Sequence, residues 1–303
     1  MTRVSGSTGL APTRERIDGR TYSLQVRRRI EQPADAPRLI IAACQPNRQA
    51  REILEVCIRA VRRHTPEAHE LWVVDNNSPD EQTDWLCDQD GINLVLNRTS
   101  PLAPGCRGFG PFRKKRAPRQ GSASYANAAA LEIALRLIAP ETRYVMTLHM
   151  DTMPCCRGWL SFLRSKIRNG VAAAGVRMDT ARTPEGVLHV LGLMVDYRLF
   201  RQLGLDFFPR LPRYDVGDRV TVALREAGHG VYACRNTLHD KALAGAMPAE
   251  SPFRDFDVDR AVDDDGRVIF LHLGRGTSKA LGTHVKKIMP DQWVGFARDH
   301  VLQ

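Results

Sequence analysis

The chain has 303 residues, of which 43% are apolar and 26% charged, enough to bury the core of one large globular domain or two small ones and so to exclude a disordered polyelectrolyte. Its formal net charge is +10, and residues 98 to 120, with seven Arg or Lys and no acid, supply +7 of it. Residues 1 to 35, with seven Arg and four acids, supply the other +3, so a uniformly basic protein is excluded as well.

In chain order, residues 1 to 35 are expected to form a flexible basic segment. "RLIIAAC" (38 to 44) is a β-branched run suited to a buried strand, and Leu54, Cys57, Ile58 and Val61 after it share one stripe of an amphipathic helix. "ELWVVD" (70 to 75) is the next strand. Ser78, Pro79 and Glu81 then carry the signature of a helix start, with Ser78 as its cap. "INLVLN" (92 to 97) is a third strand, the basic stretch 98 to 120 is an insertion, and "ASYANAAALEIALRLI" (123 to 138) is a helix. In "YVMTLHMDTMP" (144 to 154) an apolar strand ends in His149, Met150 and Asp151. Residues two apart on a strand face the same way, so His149 and Asp151 are delivered together. Asp215 and Asp218 precede Val220, Ala223, Leu224 and Ala227, a helix that Gly228 ends, and "RVIFLHL" (267 to 273) is a late strand carrying His272. Residues 281 to 303 form a C-terminal segment.

Alternation of strand and helix predicts an α/β fold: a doubly wound, mostly parallel sheet with helices on both faces. Such sheets bind ligands beyond the carboxyl ends of their strands, where Asp75, Asn97, His149 and Asp151 all fall.

"IIAACQPNR", "WVVDNNSPD", "YANAAALEIA", "LHMDTMP", "YDVGDRVTVALREAGHGVY" and "HLGRGTSK" occur in the order and approximate spacing of family 2 glycosyltransferases. The chain thus resembles these inverting, nucleotide-sugar-dependent enzymes of the GT-A fold over roughly residues 36 to 280. The resemblance implies a nucleotide-diphosphate sugar as donor and a divalent cation, Mn²⁺ or Mg²⁺, on its diphosphate. It implies a donor site of Asp75 with the backbone around Cys44, Gln45 and Asn47, joined by Asn97 and Asn127, and metal ligation by Asp151 in a DxD-like element. His149 stands where that element usually has its first aspartate, and an imidazole shifts preference from Mg²⁺ toward Mn²⁺. The alternatives are a strand-end hydrogen bond for His149 and a turn aspartate for Asp151. His272 resembles a third ligand, with His239 as runner-up, and Arg275, Ser278 and Lys279 resemble diphosphate contacts. Of the acids at 215 and 218, Asp215 is the preferred base and Asp218 its alternative; either could instead cap the helix.

The insertion mixes Arg107, Arg113, Lys114, Lys115, Arg116 and Arg119 with Phe109 and Phe112. Cations for phosphates and rings for bases suit a DNA or RNA acceptor, with an anionic lipid or a small molecule as the competing partners. A nucleotidyltransferase and a non-catalytic nucleic-acid-binding module are the alternative functions. The seven scattered cysteines suit free thiols, and with no membrane-spanning run and no secretory signal the expectation is a cytoplasmic protein.

Overall fold

The computed structural model describes residues 9–102, 122–179 and 183–303. The acceptor candidates Arg107, Arg113, Lys114, Lys115, Arg116 and Arg119 lie outside the described residues. In chain order the elements are β1 (Ala11–Ile17), β2 (Arg20–Arg27), β3 (Arg38–Ala43), α1 (Arg48–His64), β4 (Glu70–Asn76), α2 (Asp80–Cys87), β5 (Asn93–Asn97) and α3 (Ser122–Leu137). Then come β6 (Tyr144–His149), β7 (Thr152–Pro154), α4 (Trp159–Lys166), β8 (Val171–Arg177), β9 (Leu188–Asp196), α5 (Tyr197–Gln202) and α6 (Asp218–Glu226). The chain ends with β10 (Gly230–Asn236), α7 (Ala242–Ala246), β11 (Asp259–Val262), β12 (Val268–His272), α8 (Gly276–Ala280), α9 (Pro290–Phe296) and a π-helical turn at Ala297–Val301.

The strands form one 12-stranded sheet in the order β1-β2-β5-β4-β3-β6-β9-β8-β10-β11-β12-β7. Its centre, β5-β4-β3-β6, is parallel, as the strand and helix alternation requires. β9 runs antiparallel to β6 and β8, β8 and β10 are parallel, and β11, β12 and β7 continue antiparallel.

Central strands buried on both faces explain the unbroken apolar runs of the sequence, and successive residues serve opposite cores. Leu39, Ile41, Val73, Leu96, Met146 and Leu148 pack with α1, Trp159 and Trp293 on one face. Ile40, Trp72, Val74, Val95 and Val145 pack with Ala129, Ile133, Val220 and Leu224 on the other. Asn47 caps α1 by accepting the Ala50 N–H at 3.0 Å, which points the stripe of Leu54, Cys57, Ile58 and Val61 into the first core.

Three expectations change. The flexible segment 1 to 35 is corrected for residues 11 to 27, which form the β1–β2 hairpin and pair with β5. Tyr22 and Leu24 are buried there, and that burial holds an otherwise basic hairpin in place. Residues 281 to 303 join the main core, with Trp293 fully buried and Val301 O bonded to His64 Nε2 at 2.8 Å. Ser78 is not the cap of α2. Its hydroxyl donates to Asp75 at 2.7 Å, and Pro79 occupies the cap position. Among the described residues no helix is long and apolar enough to cross a membrane, and Cys44, Cys57, Cys87, Cys155, Cys156 and Cys234 are free thiols.

Candidate functional site

The site is assembled by three strand ends. β6 finishes at His149, Met150 and Asp151 turn the chain, and β7 leaves the main strand row to pair with β12. That antiparallel register sets His272 opposite Thr152, one residue beyond Asp151, and the Leu273 N–H donates to Asp151 O at 3.0 Å. The neighbouring β11 sets Asp259 opposite His272. His149, Asp151 and His272 therefore offer ligand atoms that all lie within 4.8 Å of one another.

Asp151 Oδ1 is the common point, 3.8 Å from His149 Nδ1 and 3.6 Å from His272 Nε2. Its other oxygen accepts the Gly276 N–H at 2.8 Å. Burial alone would raise the Asp151 carboxyl, but His272, His149 and the Gly276 N–H together hold the group well below the usual range. Burial works against the charged form of His272 too, yet the Asp151 and Asp259 carboxylates raise it to about 9. His149 is pushed the other way, down to about 4, by burial and then by His272.

A third histidine at the site had no signal in the sequence. His189 lies on β9 with its ring edge-on to His149, centroids 5.2 Å apart. Its Nδ1 accepts the Leu191 N–H at 3.2 Å and burial keeps it neutral, so its proton sits on Nε2. Asp259 also escaped notice, because only the β11–β12 register brings it to His272, at 3.6 Å from Nδ1. An acid inside "DFDVDR" has no local pattern to mark it.

The remaining candidates divide. Cys44 is exposed at the end of β3, its N–H directed at Met150 Sδ at 3.4 Å, and so borders the site. Asn127 reaches it directly, with Nδ2 2.8 Å from His149 Nε2. Asp215 is half-buried and near enough for its charge to favour protonation of His149. Arg275 is exposed, with Nη1 3.4 Å from His284 Nδ1, and Ser278 is half-buried beside it. Asn47 is occupied by the α1 cap and by Ala280 O, to which its Nδ2 donates at 2.8 Å.

Four of the expected ligand contacts have side chains engaged within the protein. Asp75 accepts from Gln45 Nε2, Ser78 N and Ser78 Oγ, and burial raises its pKa. Gln45 also accepts from Trp85 Nε1, and Asn97 is held between Asn76 and Thr99 N. Lys279 donates to Leu273 O at 3.0 Å and Ile288 O at 2.8 Å, so two of the three N–H donors of this buried ammonium are met by carbonyls. His239 Nε2 faces Asp179 Oδ1 at 3.4 Å, and the cluster that gathers at Asp151 is His149, Asp151 and His272.

The donor set fits a first-row divalent cation. Atoms 3.6 to 3.8 Å apart can close on an ion about 2.1 Å from each, and two nitrogens with one oxygen favour Mn²⁺ or a softer ion over Mg²⁺. Two buried atoms here lack hydrogen-bond partners, His272 Nδ1 and Asn127 Oδ1. Both sit one side chain back from the place an ion would occupy.

No family model matches the chain, and no curated protein does. Solved structures similar to it include a mannosyltransferase from Pyrobaculum calidifontis in complex with GDP-Man and Mn²⁺, at 13% identity and TM-score 0.45, covering 89% of this chain and 71% of that one. An active-site mutant of LgtC matches at 11% identity and TM-score 0.47, covering 86% and 95%. The 4-diphosphocytidyl-2C-methyl-D-erythritol synthase of Anaerococcus prevotii matches at 15% identity and TM-score 0.39, covering 66% and 86%. Likeness of this order carries no functional argument, so function is argued from the chain's own side chains.

Proposed function

We propose that this chain is a divalent-metal-dependent glycosyltransferase that moves a sugar from a nucleotide-diphosphate donor to an acceptor with inversion. The observation that carries the reading is the meeting of His149, Asp151 and His272 at the carboxyl end of the parallel strand block. His149, Asp151 and His272 would hold the cation, which supplies positive charge against the diphosphate as it departs.

Asp215 is the general base of this proposal. Its Oδ1 accepts the Val216 N–H at 2.7 Å, and no described residue bonds its Oδ2, which is left to take the acceptor's proton. Asp218 is buried and accepts the Asp215 N–H at 2.8 Å, so it orients the loop that carries the base. Burial holds Asp218 up at about 6. His189 places a neutral N–H donor beside the same cleft.

A nucleic-acid acceptor is favoured by two further contacts. The Ser23 N–H donates to Thr99 Oγ1 at 2.9 Å and Arg20 Nη2 donates to Ser100 O at 2.9 Å, so the hairpin bearing exposed Arg14 and Arg16 adjoins the root of the basic insertion. Phosphates bound near that root would have the hairpin's cations within reach.

The test is donor hydrolysis with a panel of nucleotide sugars and Mn²⁺, with Asp151→Asn as control. Release of a nucleoside diphosphate that depends on Asp151 supports the proposal. Release of pyrophosphate from a nucleoside triphosphate would move the chain to the nucleotidyltransferases.

A further inference from the structure

Each imidazole of the candidate metal centre has a polar side chain at its far nitrogen. His272 turns Nε2 toward Asp151 Oδ1 and Nδ1 toward Asp259 Oδ2, at 3.6 Å in each direction. His149 uses the opposite pair of atoms: Nδ1 faces Asp151 Oδ1 at 3.8 Å, and Nε2 meets the Asn127 amide at 2.8 Å. A neutral imidazole has one N–H and one lone pair, so whatever accepts the far N–H decides which nitrogen can ligate. We propose that Asp259 and Asn127 are positioning residues of this centre, holding His272 as the Nδ1–H tautomer and His149 as the Nε2–H tautomer, with both lone pairs directed at a cation on Asp151. The proposal rests on the metal-site reading of His149, Asp151 and His272.

For Asp259 the argument is register and charge. The β11–β12 pairing makes Asp259 and His272 direct cross-strand neighbours, so their side chains leave the sheet on one face. The His272 Nδ1 is buried and has no hydrogen-bond partner, and Asp259 Oδ2 stands under one ångström beyond the usual bonding distance of about 2.8 Å. A carboxylate can only accept there. It lies across the ring from Asp151, which makes it a support for the ligand and not a further ligand.

Asn127 stands at the nitrogen of His149 that faces away from Asp151, 2.8 Å from Nε2. Its Nδ2 faces the His149 nitrogen while its Oδ1 is buried without a partner. A half-turn of the amide exchanges the two atoms at almost no change in shape. Oδ1 then accepts from Nε2–H, and Nδ1 is left bare toward Asp151, the tautomer that ligation through Nδ1 requires.

The experiment is a Mn²⁺ titration of the full chain, with free Mn²⁺ read by electron paramagnetic resonance. The variants are Asp259→Ala, Asp259→Asn, Asn127→Ala and Asp151→Asn. Loss of an outer support should weaken Mn²⁺ binding roughly ten- to a hundredfold in both Ala variants. Asp259→Asn keeps an acceptor oxygen without the charge and should fall between wild type and Ala, which preserves the test if the Ala protein does not fold. With Zn²⁺ bound, long-range ¹H–¹⁵N spectra of histidine-labelled protein should show the proton on Nδ1 of His272 and on Nε2 of His149. Wild-type Mn²⁺ affinity in an Asp259 or Asn127 variant, or the reverse tautomer, overturns the role of that residue while the metal site stands. Equal binding by wild type and Asp151→Asn would remove the metal site itself, and the proposal with it.

Discussion

Gly276 donates its N–H to Asp151 Oδ2 at 2.8 Å, and a Cβ at position 276 would lie 2.8 Å from Asp151 Cβ and 2.9 Å from Oδ2. The glycine is required by this close approach. It fixes one carboxylate oxygen and so turns the other toward His149 and His272. Gly276→Ala should push Asp151 out of register with both imidazoles, lowering Mn²⁺ affinity at least tenfold at an overpacking cost of about 1–3 kcal/mol. A titration and a thermal melt of the same preparation check the two effects.

Substitutions at the ligands themselves should separate charge from ion preference. Asp151→Asn keeps the size of the side chain and should abolish cation-dependent turnover. His149→Asp supplies a second hard oxygen and should raise Mg²⁺-supported activity relative to Mn²⁺. An unchanged activity ratio between the two ions would remove His149 from the ligand set.

The two acids near α6 should behave differently. Asp215→Asn should lower kcat by about 10²–10⁴ with nucleotide affinity near normal, as loss of a general base does. Asp218→Asn keeps an oxygen to accept the Asp215 N–H and should cost much less. Steady-state kinetics with acceptor present decide the order, and a larger loss at 218 would reassign the base.

Glu132 supplies a pH signature outside the site. It is buried on α3, accepts the Phe207 N–H at 2.8 Å, and burial raises its pKa from the usual 4.5 to about 7. The folded state therefore binds this proton more tightly than the unfolded state. The stability it contributes is fully present below pH 4.5 and is lost as pH rises through 7. Glu132→Gln should be more stable than wild type above pH 7, by about 3 kcal/mol at most, with the gap opening between pH 4.5 and 7. Denaturant midpoints across that range measure it.

The basic insertion carries its own test. Replacing Arg113, Lys114, Lys115 and Arg116 with Ser should weaken acceptor binding and flatten its salt dependence, because fewer counterions are released, while donor hydrolysis stays unchanged. Titrations of duplex, single-stranded and transfer RNA or DNA against anionic vesicles at two salt concentrations give the answer. Salt-insensitive binding to every nucleic acid would return the acceptor to a lipid or a small molecule.

Local pattern alone determined the strand and helix alternation and the burial of β3 to β6, because a two-residue repeat and a 3.6-residue repeat are written directly into side-chain order; Asp151 reaches His149 through the turn at Met150 and Asp151, not through the strand repeat. It also marked His272 as a strand-end histidine. Tertiary structure decided everything that depends on which strands pair. The crossing of β7 onto β12 brings together Asp151 and His272, which lie far apart in sequence, and the β11–β12 register delivers Asp259 to the same ring. Burial decided the rest: Lys279, Asp75, Gln45 and Asn97 carry the residue types of a phosphate and nucleoside site, yet each spends its polar atoms on the protein itself. The N-terminal hairpin follows the same logic, since a basic segment is held only where a neighbouring strand such as β5 offers an open edge. Long-range register and desolvation are properties of the assembled sheet, and no short stretch of sequence encodes them.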